Sequence, residues 1–465
     1  MPQRDQLGTT SEGLVRAIGR WSLVALTVNS ILGSGIFGLP SQVADKVGRL
    51  SPWAVLLAGA AMGVIIACYG EVASQFSGTG GTYIYCRVAF GQFTGLQVGW
   101  MMMLSRLTAC AANANLLVIY LGTFWPQVAH LGVRFAIVTL LLGILLIVNY
   151  TGVRSGTLVS NIFVIGKMVP LAIVCLVGAY FLSTHAAVPW PTPHAGVRTW
   201  RDALLLLFFA YGGYEAAMNP LGEARNPRRD APFALFTALA VVTLIYTTIQ
   251  WVVVGVLPAT AHTDRPLAEV ARLVMGSGGA ALVAVGALVS VYGYLSANFL
   301  TGPRMTFAFA EQGDFPRVFG AVHPRFKTPH VSIVAFAVLC WVLALAGSFT
   351  WNVTLSAVAR LVYYGAVCAA VPALRRKQPG AAWLRLPAGW LFAGAGVLIC
   401  VALLSGVDFS GSVILLVTII IGGAELACGS EVRGAEFCGP DFAKSWIRRS
   451  SGVGTPGLIS QSLLI

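Results

Sequence analysis

The sequence predicts an all-α, polytopic membrane protein of twelve transmembrane helices, the first and the sixth broken near their middles. Three observations carry this. Of 465 residues, 57% are hydrophobic and only 10% charged, and the mean hydropathy is +0.78, the composition of a chain solvated by lipid. The apolar residues gather into twelve stretches: 22–43, 52–75, 92–121, 134–151, 157–183, 202–221, 232–257, 278–309, 330–347, 351–374, 385–405 and 411–428. Most reach the ~20 residues that cross a hydrocarbon core, and several exceed it, which implies tilt or extension beyond the bilayer. Finally, the first and sixth stretches carry glycine clusters at mid-length.

Charge orients the chain. An even number of spans puts both termini on one side. With the N-terminus inside, 20 of the 30 Lys and Arg fall on inner segments, 7 on outer ones and 3 within spans. That asymmetry places both termini in the cytosol and the protein in the cell membrane. The net charge of +13 is largely this bias, together with contact to anionic membrane lipid, so nucleic acid is not needed as a partner. Residues 1–20 are polar, and the first stretch is too long and too poorly flanked, so no cleavable signal peptide is expected. The nine cysteines form no CxxC pair and the six histidines no HExxH. Neither a metal site nor a cofactor is expected.

Taken in order, the first stretch contains Ser30-Ile31-Leu32-Gly33-Ser34-Gly35-Ile36-Phe37-Gly38. Its letters match a dinucleotide fingerprint, but that motif requires a strand before it and a helix after it. Inside a membrane span, three glycines instead suggest a local break, tolerated only where it is buried in protein or lines a cavity. Such a break turns free N–H groups toward an anion and free carbonyls toward a cation, and an amino acid carries both. Close approach of a neighbouring helix explains the same residues equally well.

Glu71, near the inner end of the second stretch, reads as a gate residue pairing with a cytosolic arginine, or as an interfacial carboxylate. The glycines from Ser77 to Tyr83 read as a membrane-edge turn rather than a phosphate cradle, since no Lys-Ser/Thr follows. Arg106, at the centre of the third stretch, is expected to be a structural ion pair or a carbonyl-capping residue in preference to a substrate contact. Asn113 and Asn115 are interhelical hydrogen-bonding candidates. Lys167 stands ten residues into the fifth stretch, about 15 Å deep at ~1.5 Å per residue. At that depth proton exchange during a cycle outweighs a purely structural role.

The sixth stretch holds Phe209-Ala210-Tyr211-Gly212-Gly213-Tyr214-Glu215, then Asn219-Pro220. This is a second interruption. If spans 1–5 and 6–10 are repeats, the odd number makes them inverted, and paired breaks then mark a transporter's binding site. This tilts the first break toward function. The later charges, including Arg225, Arg228, Arg229, Arg317, Arg325 and Lys327, read as topological anchors or inner-gate pairs. Arg360 is a buried cation with no partner evident from the sequence. Residues 429–465 change composition and read as a tail.

Four groups of residues together resemble the amino acid–polyamine–organocation superfamily of secondary transporters. They are Gly33-Ser34-Gly35-Ile36-Phe37; Glu71 with Ser77 to Tyr85; Phe209 to Glu215 with Glu223 and Asn226-Pro227-Arg228-Arg229; and Pro303-Arg304 with Glu311-Gln312-Gly313-Asp314-Phe315-Pro316. The resemblance implies a 5+5 inverted repeat, the leucine-transporter fold. The N-terminus would then be 1–21, the repeats 22–183 and 184–374, spans eleven and twelve 375–428, and a cytosolic tail 429–465. It implies a transporter, not an enzyme, that imports amino acids by alternating access with the proton as coupling ion. A sodium-independent exchanger of amino acids or polyamines is the alternative, and a transporter-derived sensor a more distant one. By position, the backbone N–H groups of Ser34 and Gly35 would bind the substrate carboxylate. The carbonyls of Ile31, Phe209 and Gly212 would take its ammonium, and Phe209 would lid it. Glu215 matches a proton-sensitive gate. Lys167 looks like a span-five lysine that replaces a sodium ion. Gly212, where relatives often carry a larger side chain, departs from the pattern, and so does Arg106.

Overall fold

A computed structural model describes residues 18–76, 81–152, 157–190, 196–218, 221, 223–259, 263–311 and 315–406, with backbone alone over 157–165. The N-terminal residues 1–17, the glycines of 77–80, Asn219-Pro220, Gln312-Gly313-Asp314, the stretch 411–428 and the tail lie outside the described residues. Among the described residues every extended element is a helix, and the one β pairing is an isolated bridge between Ile18 and Ala224.

The helices run α1 Arg20–Ile31, α2 Ser34–Gly38, α3 Pro40–Val47, α4 Ser51–Ala73, α5 Gly81–Phe90, α6 Gln92–Leu121, α7 Leu131–Thr151 and α8 Thr157–Thr184. They continue as α9 Val197–Tyr211, α10 Tyr214–Ala217, α11 Pro227–Val256, α12 Pro266–Glu311, α13 His330–Ala346, α14 Phe349–Lys377 and α15 Gly389–Leu404. Seven helical runs among them are long and apolar enough to cross a membrane, and α13 and α15 are shorter apolar helices. One of those runs, Pro40–Ala73, includes the turn at Gly48–Leu50 and is therefore α3 followed by α4.

Local chemistry sets many of the ends. Prolines open α3, α4 and α11 at positions where the missing N–H costs nothing. The Ser348 hydroxyl caps α14 by accepting from the Trp351 N–H. Three boundaries differ from the sequence reading. Helix α5 starts at Gly81, inside the expected turn, because Thr82, Tyr85, Cys86 and Ala89 form a buried stripe at helical spacing. Helix α9 begins at Val197, earlier than the apolar stretch, since Arg198 and Arg201 belong to a helix end and not to its core. Helix α12 absorbs Pro266–Met275 ahead of a kink at Gly276, so its 46 residues are two helices end to end.

The core is built around α6, α14, α4 and α11. Helix α14 packs along α6, α11 crosses α4 and α1, and α8 lies on α12. The outer faces stay apolar: Leu140, Ile147, Leu176, Leu244 and Leu398 are all exposed. In water such a surface would associate, whereas in a bilayer it meets lipid. Among the described residues, two interruptions of the helices lie within this core, at Leu32-Gly33 and Gly212-Gly213.

Candidate functional site

At the first interruption α1 ends at Ile31 and α2 restarts at Ser34 with no side-chain cap. The last carbonyls of a helix have no partner within it and must find one elsewhere. Here Lys167, reaching in from α8, supplies it. Its Nζ donates to the Asn29 carbonyl at 2.6 Å and the Leu32 carbonyl at 2.9 Å. The lysine is 7% exposed and pairs with no carboxylate among the described residues. The buried Ser34 hydroxyl has no hydrogen-bond partner among the described residues. Tyr246 on α11 ties the two interruptions together: its hydroxyl donates to the Ala210 carbonyl at 2.9 Å, with the Ile31 carbonyl at 3.4 Å.

The second interruption requires glycine twice. Gly213 sits at φ 111°, a conformation that L side chains rarely adopt, and a Cβ there would overlap the Ser30 carbonyl oxygen. The two breaks therefore touch through backbone. At Gly212 a Cβ would collide with the guanidinium of Arg360. That guanidinium donates from Nη1 to the Phe209 carbonyl at 3.2 Å and from Nε to the Ser105 hydroxyl at 3.0 Å. It also lies over the Phe209 ring, 5.4 Å from its centroid. Glu215 stands 3.9 Å from Arg360 Nε and accepts from Tyr363 (2.8 Å), Tyr364 (3.1 Å) and the Gly213 N–H (3.0 Å).

The sequence reading left Arg360 without a partner, and the structure gives it Glu215. Arg360, Tyr363 and Tyr364 are spaced i, i+3, i+4 on α14 and so share one face, which was the signal available in the sequence. Of the carbonyls expected to face a substrate ammonium, that of Phe209 is already engaged by the protein's own cation.

The other candidate residues are spread around this centre. Glu71 is fully buried and accepts both nitrogens of a bidentate Arg375 fork at 2.6 and 2.7 Å, plus the Leu386 N–H at 3.0 Å. Arg106 links α6 to α12. It makes no ion pair among the described residues and donates to the Thr301 hydroxyl at 3.2 Å, only partly buried. The nearest role for a buried cation, beside Glu215, is filled from α14 instead. Asn115 bonds across helices to the Gly347 carbonyl (3.0 Å) and accepts from Arg134 (3.0 Å). Asn113 differs, donating to Ala109 within its own helix. A further cluster joins α1 to α11: Arg20 pairs with Asp230 at 3.1 Å and stacks on Phe233. No group of three metal-ligating side chains occurs among the described residues.

Comparison with known proteins adds a lineage. A family profile described as amino acid permease matches residues 18–424. The serine/threonine exchanger SteT of Bacillus subtilis is 28% identical over 384 residues, covering 80% of this chain and 86% of that protein. The branched-chain amino acid permease BcaP of the same organism is 27% identical over 454 residues, 90% of this chain and 94% of its own length. An uncharacterized transporter of Mycobacterium tuberculosis is 32% identical over 362 residues, covering 76% and 78%.

Proposed function

The chain belongs to the amino acid permease family, multi-pass membrane transporters and not enzymes, and from that premise we propose a proton-coupled amino acid importer working by alternating access. Twelve spans would be arranged as two inverted repeats, 22–183 and 184–374, with the breaks after α1 and α9 at corresponding positions. The substrate carboxylate lies against the N–H groups of Ser34 and Gly35. Its ammonium faces the carbonyls of Ile31, Phe209 and Gly212, under the Phe209 ring. Glu215 gates this centre. Both termini would face the cytosol, with Glu71–Arg375 and Arg20–Asp230 closing the inner side.

The observation that carries the reading is the bond pair from Lys167 to the Asn29 and Leu32 carbonyls. As an ammonium, Lys167 donates to both and holds the end of α1. As a neutral amine it holds them less tightly, which frees α1 to move. A proton taken from outside and released inside thus biases two conformations differently, the requirement for coupling. The unpartnered Ser34 hydroxyl supports an acceptor at the restart of the chain.

A sodium-independent exchanger is the second reading, favoured by the name of one relative, an exchanger of serine and threonine. Labelled amino acid uptake into proteoliposomes separates the two. Accumulation driven by outside acid alone identifies symport. Uptake only after internal preloading identifies exchange and reduces Lys167 to a structural cation.

A further inference from the structure

The position of Arg360 carries a consequence for which amino acids this centre accepts. Arg360 is 5% exposed, and an arginine keeps its charge under all ordinary conditions. Its Nη1 occupies the Phe209 carbonyl and its Nε the Ser105 hydroxyl, while Nη2 makes no hydrogen bond among the described residues. The one carboxylate beside it among the described residues, Glu215, already accepts three other donors and lies at 3.9 Å, an ion pair without a close hydrogen bond. Nη2 is not one of the fully enclosed polar atoms that lack a partner, so it keeps an opening through which an acceptor can reach it.

Charge counting points the same way. Among the described residues, the buried charges that bond at the two breaks are two cations, Lys167 and Arg360, and one carboxylate, Glu215. A zwitterion placed there adds no net charge. A lysine-like substrate adds a third cation. An amino acid with a second carboxylate instead gives the Arg360 Nη2 an acceptor and, while Lys167 holds its proton, balances these three buried charges. The absence of a side chain at Gly212 fits this, because any Cβ there would push the guanidinium off its place.

Resting on the amino acid transport proposed above, we infer that the substrate is an acidic amino acid whose second carboxylate is received by Arg360, the specificity-determining residue of the site. The test uses the full-length protein in proteoliposomes and labelled glutamate, aspartate, alanine, leucine and lysine under an acid-outside gradient and after preloading. One charge-assisted hydrogen bond predicts that an acidic substrate is preferred over alanine by about tenfold or more. In Arg360→Gln that preference collapses, with glutamate uptake falling at least about tenfold and alanine uptake falling less. Uptake of alanine, leucine or lysine with glutamate and aspartate refused overturns this inference and leaves amino acid transport standing. Movement of no amino acid under either condition overturns both. Unchanged acidic preference in Arg360→Gln removes Arg360 from the role. If that variant does not fold, because Glu215 has lost its cation, the wild-type panel decides alone.

Discussion

The break after α1 and the break after α9 meet through backbone at Ser30 and Gly213, yet opposite chemistry holds them. At the first, helix-end carbonyls are capped by a lysine with no carboxylate near it among the described residues. At the second, an arginine grips the Phe209 carbonyl and stands beside a carboxylate locked by two tyrosines. A lysine can release its proton when desolvated, and an arginine does not. On the proposed mechanism the first break is therefore the part that switches, and the second a fixed reader of substrate charge. The two interruptions differ in whether their cation can be removed.

Substitutions at the junction can break that contrast or sharpen it. The largest effect is expected from Gly213→Ala, which combines a disfavoured φ with overlap on the Ser30 carbonyl. Together these should cost about 2–4 kcal/mol, read as a lowered unfolding midpoint of the detergent-solubilised protein. A neutral result would mean the breaks do not depend on each other. Gly212→Ala comes next, at about 1–3 kcal/mol, because the added methyl meets the end of a side chain that can yield. Its sharper readout is substrate choice: displacing Arg360 should lower acidic preference while leaving the acid dependence of uptake in place. Loss of both together would erase the division between switch and reader. Smallest is Tyr246→Phe, which removes the hydroxyl bridging Ala210 and Ile31 and should cost about 1 kcal/mol. A much larger loss would make Tyr246, not the backbone contact at Gly213, the main tie between the breaks.

The parts of this site legible in the sequence were those written in local runs. Glycines in the middle of apolar stretches marked both interruptions, and an isolated Lys167 deep in a span marked itself as expensive. Helix ends at α4, α6 and α13 also followed hydropathy closely. What stayed hidden were partnerships across the chain. Glu71 and Arg375 are 304 residues apart, and Arg360 reaches Phe209 across 151. Charge and burial alone give no way to tell which distant cation meets which carboxylate. Arg106 shows the same limit in reverse: a mid-span arginine reads as an ion-pair or carbonyl-capping charge, but Arg360 is the one that packs beside Glu215. Helix α5 was masked because a glycine run precedes its buried stripe.

The central claim is that the cation at the first break is a switch, and Lys167→Ala tests it most directly. Uptake by this variant and by wild type would be followed in proteoliposomes across a series of outside pH values, with and without a gradient. The variant should still exchange substrate against an internal pool, which shows that it is folded, while its uptake no longer responds to outside acid. Acid dependence identical to that of wild type would contradict the account and leave Lys167 as no more than the cap of a broken helix.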